Sequence, residues 1–469
     1  MKILITVTRA SLLLVILLNI GCNTKPVKKK ATARYVKEID SLMSTSFERE
    51  LFNGNVLVAK NDTIVYKKSF GYTDATQQIK LDDKSIFNIG SIAKEFNGVA
   101  IMMLVEKGLL SLDDPISKFD LDLPAWSEKV TVNHLINYAG GIPPIDPKLP
   151  PNDNEAWEII RGTDSLLFEP GTNFRYDNSN VFLQRRILEK VTGKTFQDFV
   201  KENIIEPLNM TNSVFDPPAT TKHRTSCYDF EKNPCPELEF ISGWLWVDSN
   251  DLYKWIKAMN SNQLISQESF NILLQNPYAE DKTSSLGEYF KEKQLQRHNG
   301  VGYKFESIFL NDFENDITII IVSNNKNRVW DLGHEAYNIM LRKEFKIPKR
   351  SVFQFIRKDC LEDVEKGIEA YHNLKKIDSG DYAFDDPNEL NRLGYELIRA
   401  EKPKEAVKIF ELAISEFPEN ANLYDSSGEA YFVNREYDLA LINYKKSLEL
   451  DPKNKNAVKM IEKINSIKE

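Results

Sequence analysis

A serine and a lysine three residues apart, Ser91 and Lys94 in Asn88-Ile-Gly-Ser-Ile-Ala-Lys-Glu-Phe96, are the side chains whose types and spacing could do covalent chemistry. From Ile92 to Val105 the one breaker is Gly98, and apolar residues cover most of the circumference. That pattern predicts a buried helix whose start is marked by Gly90 and Ser91. The spacing places hydroxyl and amine on one face, a turn apart. The free N–H groups and positive dipole end of a first turn favour negative charge at the serine. Burial disfavours the charged form of a lysine, so an amine in a dry pocket could take the serine proton. This is the chemistry of an activated nucleophile. The same spacing recurs at Ser323-Asn-Asn-Lys326, where it follows the strand-like run Ile317 to Val322 and reads as a polar turn. Partners elsewhere must therefore separate the two.

Two partners follow in order. Tyr176-Asp-Asn178 stands before a helical run from Val181 to Val191, and His298-Asn-Gly300 stands before a strand candidate from Tyr303 to Leu310. With Ser-Ile-Ala-Lys, the triple resembles the signature of the serine beta-lactamase and penicillin-binding family: Ser-x-x-Lys, then Tyr-x-Asn, then Lys/His-x-Gly. The closest likeness is to its class C beta-lactamase, esterase and D-aminopeptidase branch, over about residues 50 to 345. The resemblance implies acyl transfer through a covalent intermediate on Ser91, with Lys94 and Tyr176 moving protons. It implies that Asn178, His298 and Gly300 meet the substrate, and that the backbone N–H groups of Ser91 and Val301 form an oxyanion hole. Gly300 is expected to matter because a side chain there would obstruct the substrate.

Taken singly, each residue has a plainer reading: a core tyrosine at 176, a helix cap at Asn178, a surface histidine at 298. A second Tyr-x-Asn, Tyr371-His-Asn373, lies outside the region of resemblance. His134 also fits the family pattern, with packing or hydrogen bonding beneath the site as its implied role. His298 replaces the lysine usual in true beta-lactamases, and a histidine's conditional charge makes it a poorer fixed anchor for a carboxylate. Trp244 stands where the family usually has a second glycine; with Trp246 it could line the cleft or belong to a strand core.

The elements that would position these groups alternate in type. Asn55 to Ala59 and Thr63 to Phe70 read as a hairpin across Lys60-Asn-Asp62. Helical segments dominate from Ile92 to about Asn260, strands return at Tyr303 to Leu310 and Asp316 to Val322, and a helix from about Val329 to Glu344 closes the unit. Strands at both ends with helices between predict an α+β fold, one antiparallel sheet with flanking helices and a helical subdomain, spanning 47–346.

Lys2 and Arg9 flank a short apolar run, Ala10 to Ile20, that ends at Gly21-Cys22. This layout is too short to span a bilayer comfortably and suits a signal peptide over 1–21. The small residues before Cys22 resemble a bacterial lipoprotein cleavage box, with Asn19 where a leucine is usual, which implies Cys22 as a lipid attachment site and 22–46 as a tether; plain secretion with an incidental cysteine is the alternative. The expected location is a bacterial cell envelope, lipid-anchored and facing the periplasm. A net charge of −8 argues against a nucleic-acid partner. Cys227 and Cys235, eight apart in a proline-bearing loop, could pair in an oxidising compartment, which spacing alone does not decide. Cys360 is expected to be buried. No Cys/His cluster has metal-site spacing, so neither metal nor cofactor is expected.

Beyond Lys346 the pattern changes. Arg350 to Lys376 reads as one long helix within a helical connector, 347–386. Leu390, Gly394, Ala406, Phe410 and Pro418 then recur 34 residues later as Tyr424, Gly428, Ala440, Tyr444 and Pro452. The period resembles tetratricopeptide repeats over 387–469, which implies a groove for a protein partner or a structural appendage. Three functions remain open: a hydrolase of a small-molecule or peptide amide, such as a beta-lactam or D-amino acid peptide; a carboxylesterase without beta-lactam activity; and a non-catalytic sensor or scaffold acting through its repeats.

Overall fold

The computed structural model describes residues 25–145, 151–236, 240–280, 283–325 and 328–468. The signal segment and Cys22 lie outside these residues. Seven strands form an antiparallel sheet in the order Thr63–Phe70, Gly54–Lys60, Ile317–Ser323, Phe305–Asp312, Leu295–Gly302, Gly287–Phe290, Thr283–Ser284. The hairpin and the closing strands thus meet in the middle of the sheet, where Leu57 faces Ile320 and Val58 faces Ile319. Ile317–Ser323 is buried along its whole length, which is why it reads as continuous rather than alternating apolar sequence.

Strand alternation divides the core in two. Val56, Val58, Ile308 and Ile321 point toward the helices Lys25–Glu48 and Val329–Met340. Leu57, Phe309, Ile320 and Val322 point toward the helices Lys94–Glu106 and Asn178–Thr192. On that second face the helix Lys94–Glu106 is buried nearly all round, as its apolar circumference requires. A small sheet, Phe87–Asn88 with Leu245–Val247 and Val214–Phe215, joins the segment before Ser91 to the tryptophan pair. Its strands are too short to carry a readable periodicity.

Three expectations need correction. The stretch expected as a tether is helical from Lys25 to Glu48, and Tyr35, Ile39, Leu42 and Met43 are buried on the sheet. Their spacing is the core stripe of an amphipathic helix, set among charged residues that suggested a linker. Second, Arg350 to Lys376 is not one helix but two, Val352–Glu362 and Val364–Asp378. They break at Asp363, whose extended backbone lets its carboxylate accept from Glu365 N at 3.0 Å. Third, His298-Asn-Gly300 precedes the strand Phe305–Asp312 as expected, but it also lies inside a strand of its own, Leu295–Gly302, which turns at Tyr303 into that one.

The C-terminal region is an all-α module. Helices Pro387–Arg399, Pro403–Glu416, Ala421–Val433 and Tyr437–Leu450 pack successively, followed by Lys455–Lys468. A Cβ added at Gly394 would lie 2.3 Å from the Phe410 ring, and one at Gly428 would lie 3.0 Å from Tyr444. Equivalent glycine and aromatic positions therefore make equivalent close helix contacts. Among the described residues no helix is long and apolar enough to cross a membrane.

Candidate active site

Ser91 lies in a 3-10 turn, Gly90–Ala93, that runs directly into the helix beginning at Lys94. Two glycines allow that turn to press against the strand carrying His298. Gly90 has φ +54, and a Cβ there would stand 2.5 Å from Val301 N. A Cβ on Gly300 would stand 1.8 Å from Ile89 O and 2.7 Å from Ser307 Oγ. The close neighbour of Gly300 is thus the nucleophile turn, not the cavity, which corrects the reason expected for that glycine. Asn88 Oδ1 accepts from Gly90 N at 2.8 Å and fixes the entry to the turn.

Lys94 is buried, and its Nζ donates to Ser91 Oγ at 3.3 Å and to Tyr176 Oη at 2.8 Å. The ammonium also stands 4.3 Å from the Tyr176 ring centre and 5.5 Å from that of Trp244. The Tyr176 segment is held by main-chain bonds across a neighbouring loop: Arg175 N to Tyr138 O and Gly171 N to Ala139 O, both 2.9 Å. Tyr138 supports the Tyr176 ring with centroids 4.7 Å apart. The helix after it, Asn178–Thr192, is capped by Asp177, whose Oδ1 accepts from Ser179 N and Asn180 N. Burial pushes the Asp177 carboxyl up to about 6 despite those donors.

These groups open on a cavity of about 890 Å³ lined by Ser91, Lys94, Asn178 and Val301, with Trp244, Trp246 and Phe305 as aromatic walls. Both tryptophans line it, and Trp246 is at the same time a strand residue stacked edge-on against Phe305 at 4.8 Å. Asp153, Asp216 and Arg224 are the other charged lining residues. Asp216 is spent on the backbone, accepting from Gly243 N at 2.6 Å and Trp244 N at 2.9 Å. Arg185 lies beneath that loop, fully buried, with its guanidinium 5.5 Å from the Trp244 ring and burial pushing it down to about 10.

Five of the candidate residues, Ser91, Lys94, Tyr176, Asn178 and Val301, are brought together at or beside the cavity. His298, expected as a substrate contact, is turned elsewhere: it is buried, with Nδ1 2.7 Å from Glu95 Oε1, and is not among the cavity-lining residues. Glu95 is 1% exposed and also accepts from Trp255 Nε1 at 2.7 Å, so a buried carboxylate draws the ring inward. Sequence reasoning missed Glu95, although an acidic residue in an otherwise apolar helix was the available signal. His134 lies beside the site, its Nδ1 accepting from Thr131 N at 3.2 Å as part of a capping box, and burial lowers its pKa.

Cys227 and Cys235, whose pairing the sequence left open, form a disulfide, and both line the cavity. Cys360 is free and buried, and burial pushes its thiol up to about 12.

Comparison with known proteins agrees with this geometry. Penicillin-binding protein 4* of Bacillus subtilis is 28% identical over 263 residues, 50% of this chain and 58% of that protein. Protein flp of Staphylococcus aureus is 25% identical over 317 residues, 61% of this chain and 63% of its own. The chain therefore spans less than two thirds of the length of these relatives. Among solved structures, the octameric penicillin-binding protein homologue from Pyrococcus abyssi aligns with a TM-score of 0.58 at 26% identity, covering 70% of this chain and 81% of that one. FmtA from Staphylococcus aureus shares the fold, with a TM-score of 0.57 at 22% identity over 67% of this chain and 91% of its own. The family model described as Beta-lactamase matches residues 38–343, a stretch that contains the nucleophile turn, the tyrosine segment and the His298 strand. The chain belongs to the beta-lactamase family.

Proposed function

We propose that the protein is a serine hydrolase that cleaves an amide or ester through an acyl-enzyme on Ser91. The observation that carries this reading is Lys94 Nζ standing between Ser91 Oγ at 3.3 Å and Tyr176 Oη at 2.8 Å, with Ser91 and Lys94 lining a cavity of about 890 Å³. In this mechanism Ser91 Oγ attacks the carbonyl carbon, and its proton passes into the Lys94–Tyr176 pair. Tyr176 then delivers a proton to the departing amine or alcohol. The carbonyl oxygen, as it becomes an anion, is received by the N–H groups of Ser91 and Val301; one such donor is typically worth about 100 to 1000-fold in rate. Asn178 orients the bound carbonyl compound, and water releases the acyl group.

Two of the relatives are named for binding penicillin, which supports a beta-lactam as the acyl donor, and the order of the motifs supports a D-amino acid peptide. The three aromatic walls favour a carboxylesterase that takes apolar acyl groups. The helical C-terminal module is read as tetratricopeptide-like, and the segment ending at Cys22 as a lipid attachment that holds the enzyme at the cell envelope. The deciding experiment is the intact mass of the protein after exposure to a fluorophosphonate and, separately, to a penicillin, beside Ser91→Ala. A Ser91-dependent adduct with both reagents supports the penicillin-recognising branch. Reaction with the fluorophosphonate alone, and no opening of the penicillin ring, supports the esterase. No adduct and no turnover in a folded protein refutes the hydrolase and leaves a scaffold acting through the helical module.

A further inference from the structure

The Cys227–Cys235 loop has two sides. Its base, Cys227, Cys235 and Pro236, lines the catalytic cavity. Its tip touches the helix Val352–Glu362, which shares one core with the C-terminal helices and is counted with that module: Phe230 packs against this core with its ring 6.2 Å from Phe353, and Glu231 Oε1 pairs with Arg357 Nη1 at 2.5 Å. Arg357 in turn is bonded to Glu396 through Nε at 2.7 and 2.9 Å and lies over the Phe230 ring at 5.5 Å. The far side of the same loop borders a second cleft of about 260 Å³ and carries an ion pair from Lys232 to Glu50 at 3.1 Å.

Between tip and base the loop is stiff. Cys235 N donates to Cys227 O at 2.9 Å and Asp229 N to Asn233 O at 3.0 Å, and the disulfide closes the ladder. The Asp229 carboxylate accepts from Glu231 N and Asn233 N at 2.9 Å each, which fixes the turn. A closed, internally bonded loop moves as a unit, so whatever holds residues 230 and 231 also sets the position of the wall formed by 227 and 235.

Resting on the reading of Ser91 as an acyl-transfer nucleophile, we infer that the C-terminal helical module is part of the specificity apparatus of the active site. Arg357 and Phe353 act as positioning residues that hold the disulfide loop against the cavity, and so determine how large an acyl group is accommodated beside Ser91. The ion pair is partly solvated and adds little by itself. Phe230, inserted at the edge of the module's core, is the stronger anchor. Nothing in this arrangement adds a chemical step; it sets the width of the space in which the step occurs.

The test uses the full chain, with Phe230→Ala, Arg357→Ala and the double variant beside wild type. Steady-state constants are measured on a short-chain and a bulky aryl ester, with fluorophosphonate labelling of Ser91 as a control for the nucleophile. The rate at which dithiothreitol reduces Cys227–Cys235 is measured separately and does not depend on turnover. Phe230→Ala is expected to shift KM for the bulky ester by about 5-fold or more, leave kcat/KM for the short ester within about 2-fold, and speed reduction several-fold, and Arg357→Ala to move the same quantities in the same direction by less. The double variant is expected to resemble Phe230→Ala, because Arg357 acts on the same contact. Unchanged KM and reduction rate in folded variants, equal losses on both esters, or additive effects would each overturn the proposal. A wild type that neither labels nor turns over either ester overturns the hydrolase reading and with it the claim about substrate size. The reduction rates would still report whether the module holds the loop.

Discussion

Glu95 Oε1 and His298 Nδ1 stand 2.7 Å apart beneath the Ser91 turn, joining the residue after Lys94 to the strand that borders Ser91. The carboxylate's other oxygen takes the Trp255 indole N–H, and Trp255 stacks on Phe96 with ring centres 3.9 Å apart. Helix and strand are thereby locked by a polar clamp inside the apolar core, and the histidine serves architecture before it can serve a substrate.

Removing one partner of that clamp strands the other. Glu95→Ala is expected to destabilise the protein by about 3–5 kcal/mol, because it leaves a buried histidine and indole N–H without an acceptor. Chemical denaturation followed by circular dichroism measures this. A loss below about 1 kcal/mol would show that the pair contributes little.

Tyr176→Phe separates chemistry from packing. The ring keeps its contacts with Tyr138 and Lys94, while the 2.8 Å hydrogen bond from Lys94 disappears. The expected result is a fall in kcat of about 100 to 10,000-fold with little change in melting temperature. Near-normal kcat would remove Tyr176 from the proton path.

Gly300→Ala forces a methyl group to within 1.8 Å of Ile89 O. The nucleophile turn must then move away from its strand, so stability is expected to drop by about 1–3 kcal/mol or more. Activity should fall even toward the shortest ester. Selective loss toward large substrates would instead make this glycine a substrate contact.

Asp177 gives a pH dependence of unusual sign for a carboxylate. Its folded-state pKa is raised to about 6 from 3.8, so the native state binds more protons than the unfolded chain between these values. Stability from this group is therefore greatest at low pH and declines as pH rises through that window, by on the order of 2–3 kcal/mol in all. Asp177→Asn keeps a capping side chain and removes the titration. Wild type should gain stability relative to the variant between pH 7 and pH 4. An unchanged difference across that range would mean that the carboxylate is not raised.

Much of this arrangement was legible in the sequence because it is local or periodic. Ser91 and Lys94 are one helical turn apart, and the strands Gly54–Lys60 and Ile317–Ser323 announce themselves by their apolar runs. Tyr176 and Asn178 could be assigned through the order of the motifs, since nothing in the spacing alone brings them to residue 94. What escaped depends on contacts between distant segments. The inward turn of His298 is decided by Glu95, 203 positions away, and the crowding at Gly300 by the backbone of Ile89. The stripe in the first helix was hidden by the charges between its apolar residues. The break at Asp363 went unread because a helix cap and an exposed helical aspartate look alike until the backbone is seen.

The two ends of the hydrolase fold lie side by side. The first helix and Val329–Met340 cover the same face of the sheet, and just beyond the latter Arg342 Nε donates to Tyr35 Oη at 2.9 Å. Tension applied between the start of the first helix and the chain leaving the last would load this pair of helices in shear, on the side of the sheet away from Ser91. The sheet stands between that load and Ser91, so a pull would reach the cavity only by way of the C-terminal helices and the Cys227–Cys235 loop that they touch.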